Sequence, residues 1–274
     1  MKAKTIFIPV ILFFCLAKTA KSQDKEMIDY KYTAQYKKSY KIDSLQKNYT
    51  TENFILLFNG NESAFRSVSR YLLDSIQRTA SYQELNQIGR VAIAMKYPSK
   101  NEELVQTNIE QKEIVHTTFA EVMPPLNPSY KQKLTLHWKI LEEYNKINNF
   151  NCKKAEIAMF GRTWTAWFAI DYPMPFGPYK FYGLPGLIVK IEDSTASYKY
   201  ELYQFKIEKV RYPSEVHDHV KLVTREEYIT ICESGKYGMS LFEGVELDDD
   251  RYQRILEMRL KRKLTENNPL ELNR

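Results

Sequence analysis

The sequence predicts an α+β or mainly β fold: a curved antiparallel sheet with a few helices, one of them at the C-terminus. Three observations indicate this class. Several segments alternate apolar and polar residues with a period of two, short polar stretches separate them, and the last apolar pattern has helical spacing. The chain has 274 residues, 43% hydrophobic and 14% aromatic, which is enough to bury a substantial core.

A strand and a hairpin are predicted near the N-terminus. Apolar and polar residues alternate from position 30 to 37, which is typical of a strand with one face in water. The apolar run 54–58 ends at Asn59-Gly60, and these residues favour a hairpin turn because both tolerate positive φ. The returning strand would then contain Ala64, Phe65 and Val68.

Further strands are predicted through the middle of the chain, with hairpins as the simplest connections. They cover residues 114–122, 134–141, 154–160, 163–170, 187–191 and 198–207. The polar stretch 70–100 instead has Leu72, Leu73 and Ile76 at helical spacing, which predicts a short helix and a loop. Strand 163–170 is apolar on both faces, so it should be covered on both sides.

Two helices are predicted towards the C-terminus. Thr224 and Glu227 have the spacing of a capping box. The last helix would begin at Asp248-Asp249-Asp250 and end at Lys261-Arg262-Lys263, a charge order that suits the helix dipole. Its apolar residues recur at intervals of four: Tyr252, Leu256, Leu260 and Leu264.

The N-terminus has the three-part pattern of a secretory signal peptide. Lys2 and Lys4 precede the apolar run 5–17, which is too short to cross a bilayer as a stable helix, and Ala20-Lys21-Ser22 is a small-x-small cleavage site. We therefore expect residues 1–22 to be removed. Residues 23–274 would form a single exported domain that meets the membrane only peripherally.

Charge and local motifs exclude several function classes. Loss of residues 1–22 lowers the net charge from +6 to +2, and so small a charge argues against a nucleic-acid partner. No G-x-S-x-G elbow, P-loop or G-x-G-x-x-G motif is present. We therefore expect a non-enzymatic protein without a cofactor; a hydrolase whose triad comes from distant residues is a weaker alternative.

One short motif suggests metal binding. On a strand, His217 and His219 would share a face and could offer two imidazoles to zinc or copper. The alternative is a solvated turn after Pro213. The sequence therefore keeps a metal-handling envelope protein open as a second hypothesis.

The cysteines beyond the signal peptide also allow two interpretations. Cys152 and Cys232 could form a disulfide in an oxidising compartment. The alternative is two buried thiols.

The passage 152–193 carries a family resemblance. It contains the hexapeptide Gly-Leu-Pro-Gly-Leu-Ile at 183–188, and its companions are Trp138, Gly161-Arg162, Ala166-Trp167, Gly177-Pro178 and the terminal 268–272. With these residues the chain resembles the GLPGLI family of exported proteins, which are found mainly in Bacteroidota. The proline-rich stretch 172–175 departs from the family's pattern.

The resemblance implies the periplasm or cell envelope of a Gram-negative bacterium. It implies an open antiparallel half-barrel with helices across its concave side, like the periplasmic lipoprotein carriers. It implies no activity, because none is established for the family.

The hexapeptide itself predicts a rigid turn that enters a strand. Pro185 fixes its own φ and biases Leu184 towards extended conformations, while Gly183 and Gly186 permit positive φ or a close backbone approach. The alternative is a loop that contacts a ligand.

Arg162 is a second candidate for ligand contact. It precedes a tryptophan-rich strand, where it could bind a carboxylate or stack on Trp164 or Trp167. The alternative is an internal ion pair with Asp171 or Glu156.

The aromatic content completes the functional hypothesis. Twenty Tyr, 14 Phe and three Trp fit either a two-layer core or an inner face that holds an apolar ligand. We therefore expect a binding protein whose partner is an apolar or amphipathic molecule or an envelope protein. The predicted contacts are Arg162, Trp164, Trp167, Gly183, Leu184, Pro185 and Gly186.

Overall fold

The computed structural model describes residues 26–118, 127–214, 220–237 and 248–272. The described strands are β1 (Met27–Tyr40), β2 (Thr50–Phe58), β3 (Glu62–Ser67), β4 (Leu104–Asn108), β5 (Glu113–Thr117), β6 (Asn127–Lys133), β7 (Lys139–Ile147), β8 (Phe150–Met159), β9 (Arg162–Ala169), β10 (Leu187–Asp193), β11 (Tyr198–Pro213) and β12 (Val220–Leu222). The described helices are α1 (Val68–Gln77), α2 (Ala80–Gln83), α3 (Gln87–Met95), α4 (Arg225–Tyr237) and α5 (Asp249–Thr265).

All twelve described strands belong to one open sheet. Their order is β12-β6-β5-β4-β3-β2-β1-β11-β10-β9-β8-β7. Every neighbouring pair is antiparallel except β12 and β6, which run parallel. The predicted mainly β fold with an antiparallel sheet and a C-terminal helix is confirmed.

The predicted first hairpin is present between β2 and β3, but neither Asn59 nor Gly60 has a positive φ, and the two loop residues are Gly60 and Asn61. The N–H of Asn59 donates to the carbonyl of Glu62 at 3.0 Å, which closes the turn between β2 and β3. The returning strand ends one residue earlier than predicted, because Ser67 caps α1 and Val68 is already helical. β1 lies between β2 and β11, so the two halves of the sheet meet along it.

Residues 70–100 form three short helices instead of the predicted helix and loop. Each begins at a residue whose side-chain oxygen accepts a backbone N–H of the first turn: Ser67, Thr79 and Asn86. These capping residues are the local sequence signal for three helices in a stretch whose polar composition suggested a loop.

Only the last part of the predicted strand 134–141 is a strand in the structure. β6 ends at Lys133 and β7 begins at Lys139, and the residues between them pack on the core instead of pairing with a strand. The indole N–H of Trp138 donates to the carbonyl of Tyr182 at 2.8 Å, and the Tyr182 hydroxyl donates to the carbonyl of Leu134. This connection therefore supports the segment that contains the hexapeptide.

The C-terminal helices begin as predicted. Thr224 and Glu227 exchange the two capping-box hydrogen bonds, at 2.9 and 3.1 Å, and the Asp248 carboxylate caps α5. The apolar residues of α5 are not buried, since Leu260 is 58% and Leu264 67% exposed. None of the helices in the described ranges has the length and hydrophobicity needed to cross a bilayer. The signal-peptide prediction lies outside the described residues.

Candidate functional site

The hexapeptide 183–188 forms a turn into β10, as the structural interpretation predicts. Gly183 has φ +88°, in the left-handed region that favours glycine. Gly186 lies against β9, where an added Cβ would fall well inside van der Waals contact with the Ala169 carbonyl oxygen. Leu184 is buried and Pro185 exposed.

Backbone hydrogen bonds hold this turn on the proline-rich stretch 172–175 and its neighbour Phe176. The N–H of Gly183 donates to Pro175 at 2.9 Å, and the N–H groups of Leu187 and Ile188 donate to Tyr172 and Phe176, each at 3.0 Å. The stretch that departs from the family's pattern is therefore bonded to the hexapeptide.

Arg162 ties β9 to the C-terminal segment. Its guanidinium forms an ion pair with Asp193 at 2.9 Å and donates to Asn268, Pro269 and Leu270 at 2.5, 2.6 and 3.0 Å. The predicted ion pair exists, but the partner is Asp193 and neither Asp171 nor Glu156. Antiparallel pairing of β9 with β10 brings Asp193 to the Arg162 end of β9.

We expect Arg162→Lys to lower the free energy of unfolding by about 2 kcal/mol, because the lysine ammonium cannot replace the several N–H donors of the planar guanidinium. Hydrogen exchange of the amides at 268–272 should also become faster. Urea unfolding and exchange mass spectrometry measure the two effects. Arg211→Lys is the matched control, since Arg211 is 70% exposed and pairs with an exposed Asp29. Equal effects of both substitutions would contradict the assigned role.

The tryptophans belong to the packing of the sheet. Trp164 is 1% exposed, donates to the carbonyl of Met159 at 3.2 Å, and meets Phe181 edge-on at 4.8 Å. Trp167 is partly buried against the main core, on the opposite face of β9 from Trp164. None of the seven residues predicted as ligand contacts lines the cavity described below.

The predicted disulfide is absent from the structure, and the predicted metal site lies outside the described residues. Cys152, on β8, and Cys232, on α4, are not bonded to each other in the structure. Burial raises the pKa of the Cys152 thiol to about 11, which keeps it protonated. His217 and His219 lie outside the described residues. Within those residues, no cluster of three or more His, Cys, Asp or Glu side chains could hold a metal ion.

A cavity of about 710 Å³ is the main candidate site. The sheet contributes residues from β1, β5, β6 and β11, and helix α4 and the chain from 266 to 271 also line it. Its aromatic and charged lining residues include Lys38, Tyr40, Glu103, His116, Tyr130, Tyr179, Tyr198, Arg225, Tyr228 and Glu271.

A buried ionic cluster is centred on Glu271. Lys180, which is fully buried, donates to Oε1 of Glu271 at 2.5 Å, and Arg225 pairs with Oε2 at 2.8 Å. The Tyr179 hydroxyl donates to Oε1 at 2.6 Å. Burial raises the pKa of the Glu271 carboxyl, but Lys180 and the hydrogen bonds from Lys180 and Tyr179 outweigh burial and lower it to about 2. Glu271 is therefore a fixed carboxylate.

His116 lies beside this cluster, opposite Tyr130 in the β5–β6 register. Its Nδ1 is 3.3 Å from the Tyr130 hydroxyl, and its ring lies 5.9 Å from that of Tyr179 and 5.3 Å from that of Tyr228. Burial, followed by the charge of Lys180, lowers the pKa of His116 well below its ordinary value of 6.5. The imidazole is therefore neutral at physiological pH.

Lys38 supplies a second buried cation. Its Nζ donates to Oδ1 of Asn101 at 2.8 Å and lies 4.7 Å from the Tyr40 ring centroid and 5.2 Å from that of Phe54. Burial lowers the pKa of Lys38, while the carboxylates of Glu103 and Glu52 oppose that change.

Sequence reasoning missed these residues, although two local signals were present. Lys180 lies among the aromatic residues Tyr179, Phe181 and Tyr182, and a lysine in such a run needs a buried partner. Glu271 lies in the terminal stretch that contributed to the family resemblance.

Comparisons with known proteins show the fold alone. No protein-family model and no curated protein matches the chain. The structure of PNGF-II in a P21 crystal matches with a TM-score of 0.53 and 15% identity, covering 76% of this chain and 34% of that chain. The C2 form matches with a TM-score of 0.51, 15% identity and coverage of 76% and 33%. This chain thus spans about a third of the length of the PNGF-II chains.

Proposed function

We propose that this protein is exported and binds a small amphipathic molecule, without transforming it, in the cavity beside α4. The observation that carries the proposal is a cavity of about 710 Å³ that combines tyrosine rings with buried, internally paired charges. Small-molecule sites typically enclose roughly 300–1,000 Å³ and combine apolar walls with a few fixed polar groups.

The lining suits a molecule with an apolar body and a polar end. Tyrosine rings offer apolar faces at low entropic cost, and five of them line the cavity: Tyr40, Tyr130, Tyr179, Tyr198 and Tyr228. Arg225 and Glu271 are already held by one another, so little ordering is needed when a polar group binds.

Binding without chemistry is supported by the state of the ionisable groups. Glu271 is fixed as a carboxylate by Lys180 and Tyr179, and His116 is held neutral by burial. Export is supported by residues 1–22 and by the resemblance to the GLPGLI family, to which we propose this chain belongs.

Native mass spectrometry of the protein, purified gently from an envelope fraction, tests this function. We expect a discrete adduct that disappears when the same sample is denatured. Ile229→Trp should remove the adduct, because Ile229 lines the cavity and the larger side chain fills part of it. Ile88→Trp, on an 80% exposed site of α3, should keep it. A clean mass for the unmodified protein, or an adduct that survives Ile229→Trp, would contradict the proposal.

A further inference from the structure

The proton arrangement at His116 limits what the cavity can bind. The Tyr130 hydroxyl accepts a hydrogen bond from Lys180 Nζ at 2.6 Å and is also hydrogen-bonded to Arg225. Both partners are cations that donate and have no acceptor. The hydroxyl proton of Tyr130 therefore points to Nδ1 of His116, 3.3 Å away.

The tautomer of His116 follows from that contact. A neutral imidazole that accepts at Nδ1 carries its proton on Nε2. His116 is 5% exposed and lines the cavity, and within the described parts of the chain Nε2 has no hydrogen-bond partner. A buried donor without an acceptor is costly, so a ligand oxygen that reaches the buried Nε2 by displacing neighbouring side chains gains from the contact.

The charges around His116 favour a negative acceptor. The charges that act most strongly on its ring are three cations, Lys180, Arg225 and Lys38, and one carboxylate, Glu271. Near this ring the strongest charges therefore favour an anion, whereas the cavity as a whole is also lined by the carboxylates Glu102, Glu103, Glu233 and Glu266. Because His116 supplies a single unpartnered N–H, a carboxylate fits better than a phosphate group, which is usually held by several donors.

We propose that the cavity binds an amphipathic carboxylic acid, whose carboxylate accepts a hydrogen bond from Nε2–H of His116 and whose apolar body packs on the rings of Tyr179 and Tyr228. This inference rests on the proposed function of the cavity. It adds the chemical class of the ligand and the residue that anchors it.

The tautomer is tested without any ligand. Nitrogen-15 NMR of the histidine rings, with His116→Gln used to assign the His116 signals, should show protonation at Nε2 and a bare Nδ1. The pattern should persist as the pH falls below 6.5, the ordinary pKa of histidine. A ring protonated at Nδ1, or one that titrates near that value, would overturn the inference.

The head group is tested with three probes that share one aromatic ring: phenylacetate, phenylacetamide and phenethylammonium. Isothermal calorimetry should give the highest affinity for phenylacetate and the lowest for phenethylammonium. His116→Phe, which keeps a ring without the donor, should weaken phenylacetate binding at least about tenfold. His116→Gln, which offers an amide N–H at similar reach, should keep most of the affinity. Thermal unfolding checks that both variants are folded.

The outcomes separate this inference from the proposed function. Equal binding of all three probes that is lost in Ile229→Trp would retain the cavity as a binding site and overturn the carboxylate inference. Phenylacetate binding that is unchanged in both His116 variants would also overturn it. No binding of any probe to the unmodified protein, together with a native-mass adduct that disappears in Ile229→Trp, would reject the carboxylic acid and leave the proposed function standing.

Discussion

Replacing Gly186 with valine should almost abolish the yield of folded protein, with a loss of more than about 4 kcal/mol in the free energy of unfolding. An added Cβ would overlap the carbonyl oxygen of Ala169 and lie 3.0 Å from Cδ2 of Phe168. The backbone at Gly186 and the backbone of β9 cannot move apart, because the next residues, Leu187 and Ile188, are paired with Ala169 and Phe168 in the β9–β10 register. Soluble yield and urea unfolding of any recovered protein measure the effect.

Gly60→Val is the matched control. No atom lies within 4 Å of a Cβ added at Gly60, which occupies the exposed turn between β2 and β3. Its cost should stay within about 1 kcal/mol. Normal stability of Gly186→Val, accompanied by loss of a bound ligand, would contradict the structural role and restore the hexapeptide as a ligand loop.

Glu271→Gln should lower the free energy of unfolding by about 3–5 kcal/mol at neutral pH. The substitution leaves the ammonium of Lys180, which is fully buried, without its carboxylate, and removes the carboxylate that pairs with Arg225 as well. Glutamine has nearly the same shape, so the loss would report charge and not packing. Urea unfolding of the two proteins gives the difference.

The ion pair between Glu271 and Lys180 also predicts the direction of a pH effect on stability. Folding lowers the pKa of Glu271 from 4.5 to about 2, so its contribution is complete above the unfolded value and is lost as the pH falls through the folded one. The difference between the unmodified protein and Glu271→Gln should therefore shrink between about pH 5 and pH 2. Glu142→Gln should leave stability nearly unchanged across this pH range, because Glu142 is 79% exposed. A pH-independent difference for Glu271→Gln would contradict the assignment.

Local sequence patterns predicted those strands whose conformation is determined by residues adjacent in the sequence. The hairpin from Phe54 to Ser67 combines an apolar run with turn-forming residues, so both strands follow from adjacent residues. The register does not, because a two-residue Asn59-Gly60 loop would pair Phe58 with Asn61, whereas Phe58 pairs with Ser63. β4 and β6 were missed as separate strands. β4 has only five residues and β6 carries mostly polar ones, and their pairing with β5 decides their conformation.

The candidate site could not be predicted because its residues are distant in the sequence. Lys180 and Glu271 are 91 residues apart, and Tyr130 and Lys180 are 50 apart. Only the sheet order and the return of the C-terminal segment bring them together. Arg162 shows the same effect, since its carboxylate partner comes from the neighbouring strand β10.

A crystal structure of the protein purified with its bound molecule tests the central claim most directly. We predict a ligand in the cavity beside α4, with an oxygen within hydrogen-bond distance of Nε2 of His116 and an apolar part against Tyr228. A ligand that instead lies against Trp167 and the turn at Gly183, with none beside His116, would contradict the account.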